Sequence, residues 1–120
     1  MFNAFNILII CACVANHLNI EIHYVSLVVG GLIISGQIIG SGLYFEAIRD
    51  QLERSSDEEE EAPFELPPLD HKPSFIHLRD ARVFHPGGSA VPSNEGIVWR
   101  GRLDSVDGFW FGKLAPATQL

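Results

Sequence analysis

Between Val25 and Phe45 the chain runs for 21 residues, VSLVVGGLIISGQIIGSGLYF, without one charged side chain, and that run carries Gly30, Gly31, Gly36, Gly40 and Gly42. As a helix rising about 1.5 Å per residue it would be about 30 Å long, the hydrocarbon thickness of a bilayer. Tyr24 and Tyr44 stand at its two ends, where amphipathic rings belong at the headgroup level. Five glycines would weaken a helix in water by roughly 1 kcal/mol each relative to alanine, but in lipid an unpaired backbone costs more than that. The run therefore reads as a membrane-spanning helix. On a helical wheel Val25, Val28, Leu32, Ile39 and Leu43 fall on a lipid-facing arc. Gly30, Gly36, Gln37 and Gly40 fall on a second arc with Ser26, Ile33, Ser41 and Tyr44. That arc contains the spacing Gly36-x-x-x-Gly40, which lets two helix backbones approach closely, with Gln37 placed for an interhelical hydrogen bond.

The distribution of charge divides the chain in three. Residues 1–45 hold a single charged side chain, Glu21. Residues 46–70 hold ten acids against Arg49 and Arg54, a balance of −8 that exceeds the net charge of −7 for all 120 residues. Residues 71–120 hold six basic and four acidic side chains. An apolar head, an acidic middle and a mildly basic tail speak for separate units and against one core. Cys11 and Cys13, one residue apart in an apolar run, staple nothing.

The expected organisation follows from these regimes. Residues 1–18 read as a short first transmembrane helix, with a cleaved signal-like segment as the alternative, although no Lys or Arg supplies a basic start. Residues 24–48 are the stronger span, residues 49–73 an acidic, proline-containing disordered linker, residues 74–114 a small β module and residues 115–120 a tail. Arg49 and Arg54 after the second span place the C-terminal tail on the cytoplasmic side. In the linker Asp57 to Glu61 repel one another, and Pro63, Pro67, Pro68 and Pro73 block helix and central strand. The alternative for this segment is an acidic docking motif anchored by Phe64 and Leu66.

In the tail, FIHLRDARVF, IVWRGRL and FWFGKL are strand-like runs, joined by a Pro/Gly-rich loop and by a turn at Asp107-Gly108. A three-stranded antiparallel meander is the economical arrangement. So small a sheet cannot bury all its aromatics. Trp99, Arg100, Arg102, Phe109, Trp110 and Phe111 are therefore the candidate contacts to a partner or to lipid headgroups. His71, His77 and His85 with Asp80, Asp104 and Asp107 supply residue types for acid–base or metal chemistry, but their spacing matches no catalytic or metal motif. No catalytic residue, metal ligand or cofactor is expected, and six basic residues beside a polyacidic segment speak against nucleic acid.

The fold class expected is thus a small α+β membrane protein, with an N-terminal transmembrane helical hairpin, an acidic linker and a C-terminal β meander. The function expected is that of a non-enzymatic integral membrane accessory or adaptor subunit. Its partners would be membrane lipid and another membrane protein or further copies of itself. The alternatives are a self-assembling holin-like or toxin-like membrane effector, and a membrane-tethered sensor with a ligand-binding tail.

Overall fold

The computed structural model describes residues 4–55, 73–85, 90–92 and 95–114. The helices are α1 (Ala4–Leu18) and α2 (Ser41–Ser55), and the strands are β1 (Glu21–Val29), β2 (Leu32–Ile39), β3 (Phe75–Phe84), β4 (Ala90–Val91), β5 (Ile97–Arg102) and β6 (Gly108–Phe111), with a 3-10 turn at Leu103–Ser105. All strand pairings are antiparallel, in the order β4-β3-β2-β1-β6, and β5 pairs with β3.

The uncharged run is a β-hairpin that leads into a helix, which overturns the expected span. Gly30 and Gly31 have φ of +56° and +83° and form the turn. Positive φ at both central residues is what a two-residue hairpin loop demands, and glycine takes it without a steric penalty. The flanking Val and Ile side chains suit a pleated strand better than a helix. Val25, Leu27 and Ile34 face α1, whereas Ser26 and Ser35, paired on the opposite side, are buried under the chain's own C-terminal segment. A strand covered on both faces loses its polar alternation, and this is why it imitates a spanning helix.

The second correction is that head and tail share one sheet. The expected tail strands do not pair consecutively. β3 lies against β2, β5 lies beyond β3, and β6 crosses to the far edge of β1. Leu8, Ala12 and Ala15 of α1 form a core with Val25, Leu27, Ile34, Ile38, Ile76, Leu78, Ala81 and Leu103. No helix of the described residues is long and apolar enough to cross a membrane. The expected helical hairpin, its lipid-facing arc and the membrane orientation drawn from Arg49 and Arg54 fall with it. The segment at residues 56–72, with the acidic run and its docking-motif alternative, lies outside the described residues, as do residues 115–120.

Close contacts fix how the helices meet the sheet. Asn19 ends α1 in the left-handed region at φ +52°, as asparagine does past a helix C-terminus. Its Oδ1 accepts the Leu43 N–H at 2.8 Å, and Asn16 Oδ1 accepts that of Ser41 at 2.9 Å. The otherwise unpaired first amides of α2 are thereby satisfied by side chains of α1. Gly40 lies so close to this junction that a Cβ there would overlap the Ala15 carbonyl oxygen.

Candidate interaction surface

Three places stand out: two clusters of polar and aromatic groups on the sheet and one apolar row on α1. The first is a bulge in β3, where the register with β2 jumps from Ser35↔Arg82 to Gln37↔Arg79. Asp80 sits in the bulge with φ +49°, a conformation aspartate tolerates better than most residues. Gly36 gives the bulge room, since a Cβ there would lie 3.0 Å from the Arg79 carbonyl oxygen and 3.1 Å from Ala81. The bulge turns the Asp80 carboxylate onto the face opposite α1. There Oδ2 accepts the Tyr24 hydroxyl at 3.0 Å and lies 3.2 Å from Lys113 Nζ, while Oδ1 lies 3.0 Å from Arg82 Nη1. Burial pushes this carboxyl up, but the Tyr24 hydrogen bond and the two cations outweigh it and hold it below the usual range. Burial and the Asp80 charge raise the Tyr24 phenol. Beside this knot Arg79 pairs with Glu21 and donates to Gln37 Oε1 at 2.9 Å.

The second place lies under α2. His77 is 4% exposed, with the rings of Tyr44 and Phe45 centred 4.9 and 6.0 Å from its own. Its Nε2 accepts a 3.1 Å hydrogen bond from Arg100 Nε, which identifies Nδ1 as the protonated nitrogen of the neutral ring. The Arg100 guanidinium lies 3.6 Å from the Phe75 ring centroid and 5.7 Å from that of Phe45. Burial, with Arg100 as a second cause, lowers the His77 pKa to about 4.

The third place is apolar. Ile10, Val14 and Leu18 form a row at i, i+4, i+8 on the side of α1 away from its core residues, and are 53%, 41% and 57% exposed. Ile20, just past the helix, is 40% exposed. Next to it Ile7 and Cys11 line an open groove of ≈620 Å³ with His23, Tyr24, Phe111 and Gly112. The groove ends at β6, where Trp110 and Phe111 are exposed.

These positions redistribute the expected site residues. Gly30, Gly36, Gln37 and Gly40 do not form a helix face: Gly30 is in the hairpin turn, Gly36 and Gln37 are in β2, and Gly40 sits at the junction of the helices. Of the six tail residues, Trp99 and Phe109 pack onto the core, Arg100 is stacked in the aromatic cage, and exposed Arg102 pairs with Asp104 at 3.4 Å. Trp110 and Phe111 alone of the six present large apolar surface to solvent. Arg79, Arg82 and Arg102 are each paired with an acid, Glu21, Asp80 and Asp104 respectively. The α1 row was visible as an i, i+4, i+8 pattern in the sequence, but a helix that is apolar all round disguises it. Two partners of Asp80, Tyr24 and Lys113, lie 56 residues before it and 33 after it in the chain, and no spacing rule joins them.

The fold defines a small α+β domain in which Arg79, Arg82, Arg102 and Lys113 pair with Glu21, Asp80 and Asp104, and whose exposed apolar side chains include a row on α1 and two aromatics on β6. The class is that of a small α+β domain in which, among the described residues, no helix is long and apolar enough to cross a membrane. A family model described as "Gas vesicle protein GvpU-like" matches residues 6–114, and the chain belongs to this family of gas vesicle proteins. No curated protein and no solved structure matches the chain. The family and the sheet together overturn the integral membrane subunit, and with it the membrane effector and the membrane-tethered sensor.

Proposed function

We propose that the chain is a non-enzymatic component of gas vesicle assemblies that binds protein through the apolar row of α1. The carrying observation is that Ile10, Val14, Leu18 and Ile20 are all 40% or more exposed, although the core is built from aliphatic side chains of the same kind together with Ala. Isolated exposed aliphatics are ordinary, but a contiguous row is characteristic of a docking face. Membership of a gas vesicle protein family supports a shell or shell-associated protein as the partner. The non-enzymatic reading draws support from the polar groups, because Asp80 accepts from or pairs with Tyr24, Lys113 and Arg82 together, and His77 is held neutral beneath two rings.

Buoyant vesicles give a direct test. Purified chain mixed with isolated gas vesicles is expected to rise with them on centrifugation. Val14→Lys with Leu18→Lys should lower the co-floating fraction at least tenfold, while Arg102→Ala leaves it unchanged. A wild-type chain that stays in the subnatant, or a double variant that still floats, would refute the reading.

A further inference from the structure

The two edges of the sheet are unlike each other. β5 presents exposed Arg100 and Arg102, and charges on an edge strand discourage another strand from pairing there. β6 is GFWF, four residues without a charge, and beyond it the structure places no further strand among the described residues. Its backbone phase can be read from the ladder. Gly112 N–H donates to the Tyr24 carbonyl at 2.9 Å, and Trp110 lies opposite Ser26. Alternate residues of an antiparallel strand turn their amides to the same neighbour, so Trp110 and Gly112 bond toward β1. The N–H and C=O groups of Phe109 and Phe111 consequently point away from the sheet.

We infer that β6 pairs antiparallel with β6 of a second copy, about a two-fold axis at Trp110, and joins two sheets into one. In that register Phe109 of each copy faces Phe111 of the other, the two residues with outward backbone groups, so four hydrogen bonds form. Trp110 meets its own mate directly, in the close, non-hydrogen-bonded position where cross-strand aromatic pairs interact. Charge complementarity selects a second copy in this orientation. The strand begins beside exposed Asp107 and ends beside exposed Lys113, so antiparallel pairing sets the acid of one copy near the lysine of the other.

Four residues per strand bury much less than the ~800 Å² per partner that a stable interface needs. Flanking surface supplies the remainder. Phe111 and Phe109 lie on the α1 side of the sheet, where the groove lined by Ile7, Cys11 and His23 opens toward the edge. Three strand spacings of ~4.8 Å would separate β1 from its mate, about 14 Å in all, close enough for side chains of the two α1 helices to meet above the β6 pair. Val14 and Leu18 lie on the same side of α1 as Ile7 and Cys11, so the vesicle-contact variants are weighed for dimer mass as well, which separates loss of pairing from loss of vesicle binding.

The test uses the full chain in two measurements. Native mass spectrometry and sedimentation should show a dimer that Phe111→Pro converts to monomer. Proline there removes an outward N–H and leaves the β1 ladder intact, and Phe111→Ala controls for loss of the ring. In a Cys11→Ser, Cys13→Ser background, Trp110→Cys should oxidise to a disulfide-linked dimer, whereas Ile97→Cys on the opposite edge should not. Circular dichroism of each variant verifies that the fold is kept. A wild-type chain that is monomeric at all accessible concentrations, or a dimer that crosslinks through Ile97→Cys and not through Trp110→Cys, would overturn the pairing. Co-flotation of a monomeric wild-type chain would leave the vesicle-binding reading standing while removing this one.

Discussion

At Gly40 the difference between hydrogen and methyl decides whether α1 and α2 can meet. An added Cβ would overlap the Ala15 carbonyl and crowd Asn19, whose side chain caps α2. Gly40→Ala should therefore cost about 2 kcal/mol or more in urea unfolding, although the same change in an exposed helix would be stabilising. His77 makes the domain sensitive to acid. Its folded pKa is about 4, against 6.5 for the free side chain, so between those values the unfolded chain takes up a proton that the folded protein refuses. Stability then rises with pH across that window, and falls on acidification from 6.5 towards 4 by up to roughly 3 kcal/mol. Asp80 acts in the same direction at lower pH. Its depressed carboxyl contributes stability that disappears as pH falls through its folded value. Thermal melts at intervals from pH 7.5 to 4.5 should show a declining midpoint, and His77→Gln should flatten the slope above pH 5.

The hairpin at Glu21–Ile39 shows which elements sequence can reveal. Its turn was legible: Gly-Gly between two runs rich in Val and Ile is a standard hairpin signal. It was overridden by the length of the uncharged run, because a strand buried on both faces and a spanning helix share the property of carrying no charge. Ser26 and Ser35 hold the remaining clue, for they are paired across the hairpin and buried, 3.1 Å apart, under the chain end at Gly112 and Leu114. Strand-forming composition likewise marks Phe75–Phe84 and Ile97–Arg102, but composition does not name partners, and β3 joins β2 instead of starting a separate meander. The turn carries its own prediction. Gly31→Val should destabilise the domain by about 1 to 2 kcal/mol in thermal or urea unfolding, because φ +83° forces a β-branched side chain into the backbone. Gly30→Asn, at φ +56°, should cost within about 1 kcal/mol, since asparagine enters the left-handed region readily.

In the whole molecule the three charge regimes describe the chain's order and not its folding units. The apolar head supplies α1, β1 and β2, and the basic tail supplies strands on both sides of them. Its cations pair with acids from both regions, Glu21 from the head and Asp80 and Asp104 from the tail. Among the described residues two apolar surfaces stand open to solvent, the outer row of α1 and the β6 edge, the first proposed for vesicle protein and the second for another copy. Both assignments depend on residues 25–45 being hairpin and helix start, with β6 alongside β1. The most direct measurement is the pattern of nuclear Overhauser effects in isotope-labelled protein in aqueous buffer. Cross-strand contacts between Leu27 and Ile34, and between Val25 and Phe111, are expected together with helical contacts beginning only at Ser41. An unbroken series of helical i to i+3 contacts from Val25 to Phe45, with none to β6, would contradict the sheet and everything built on its edge.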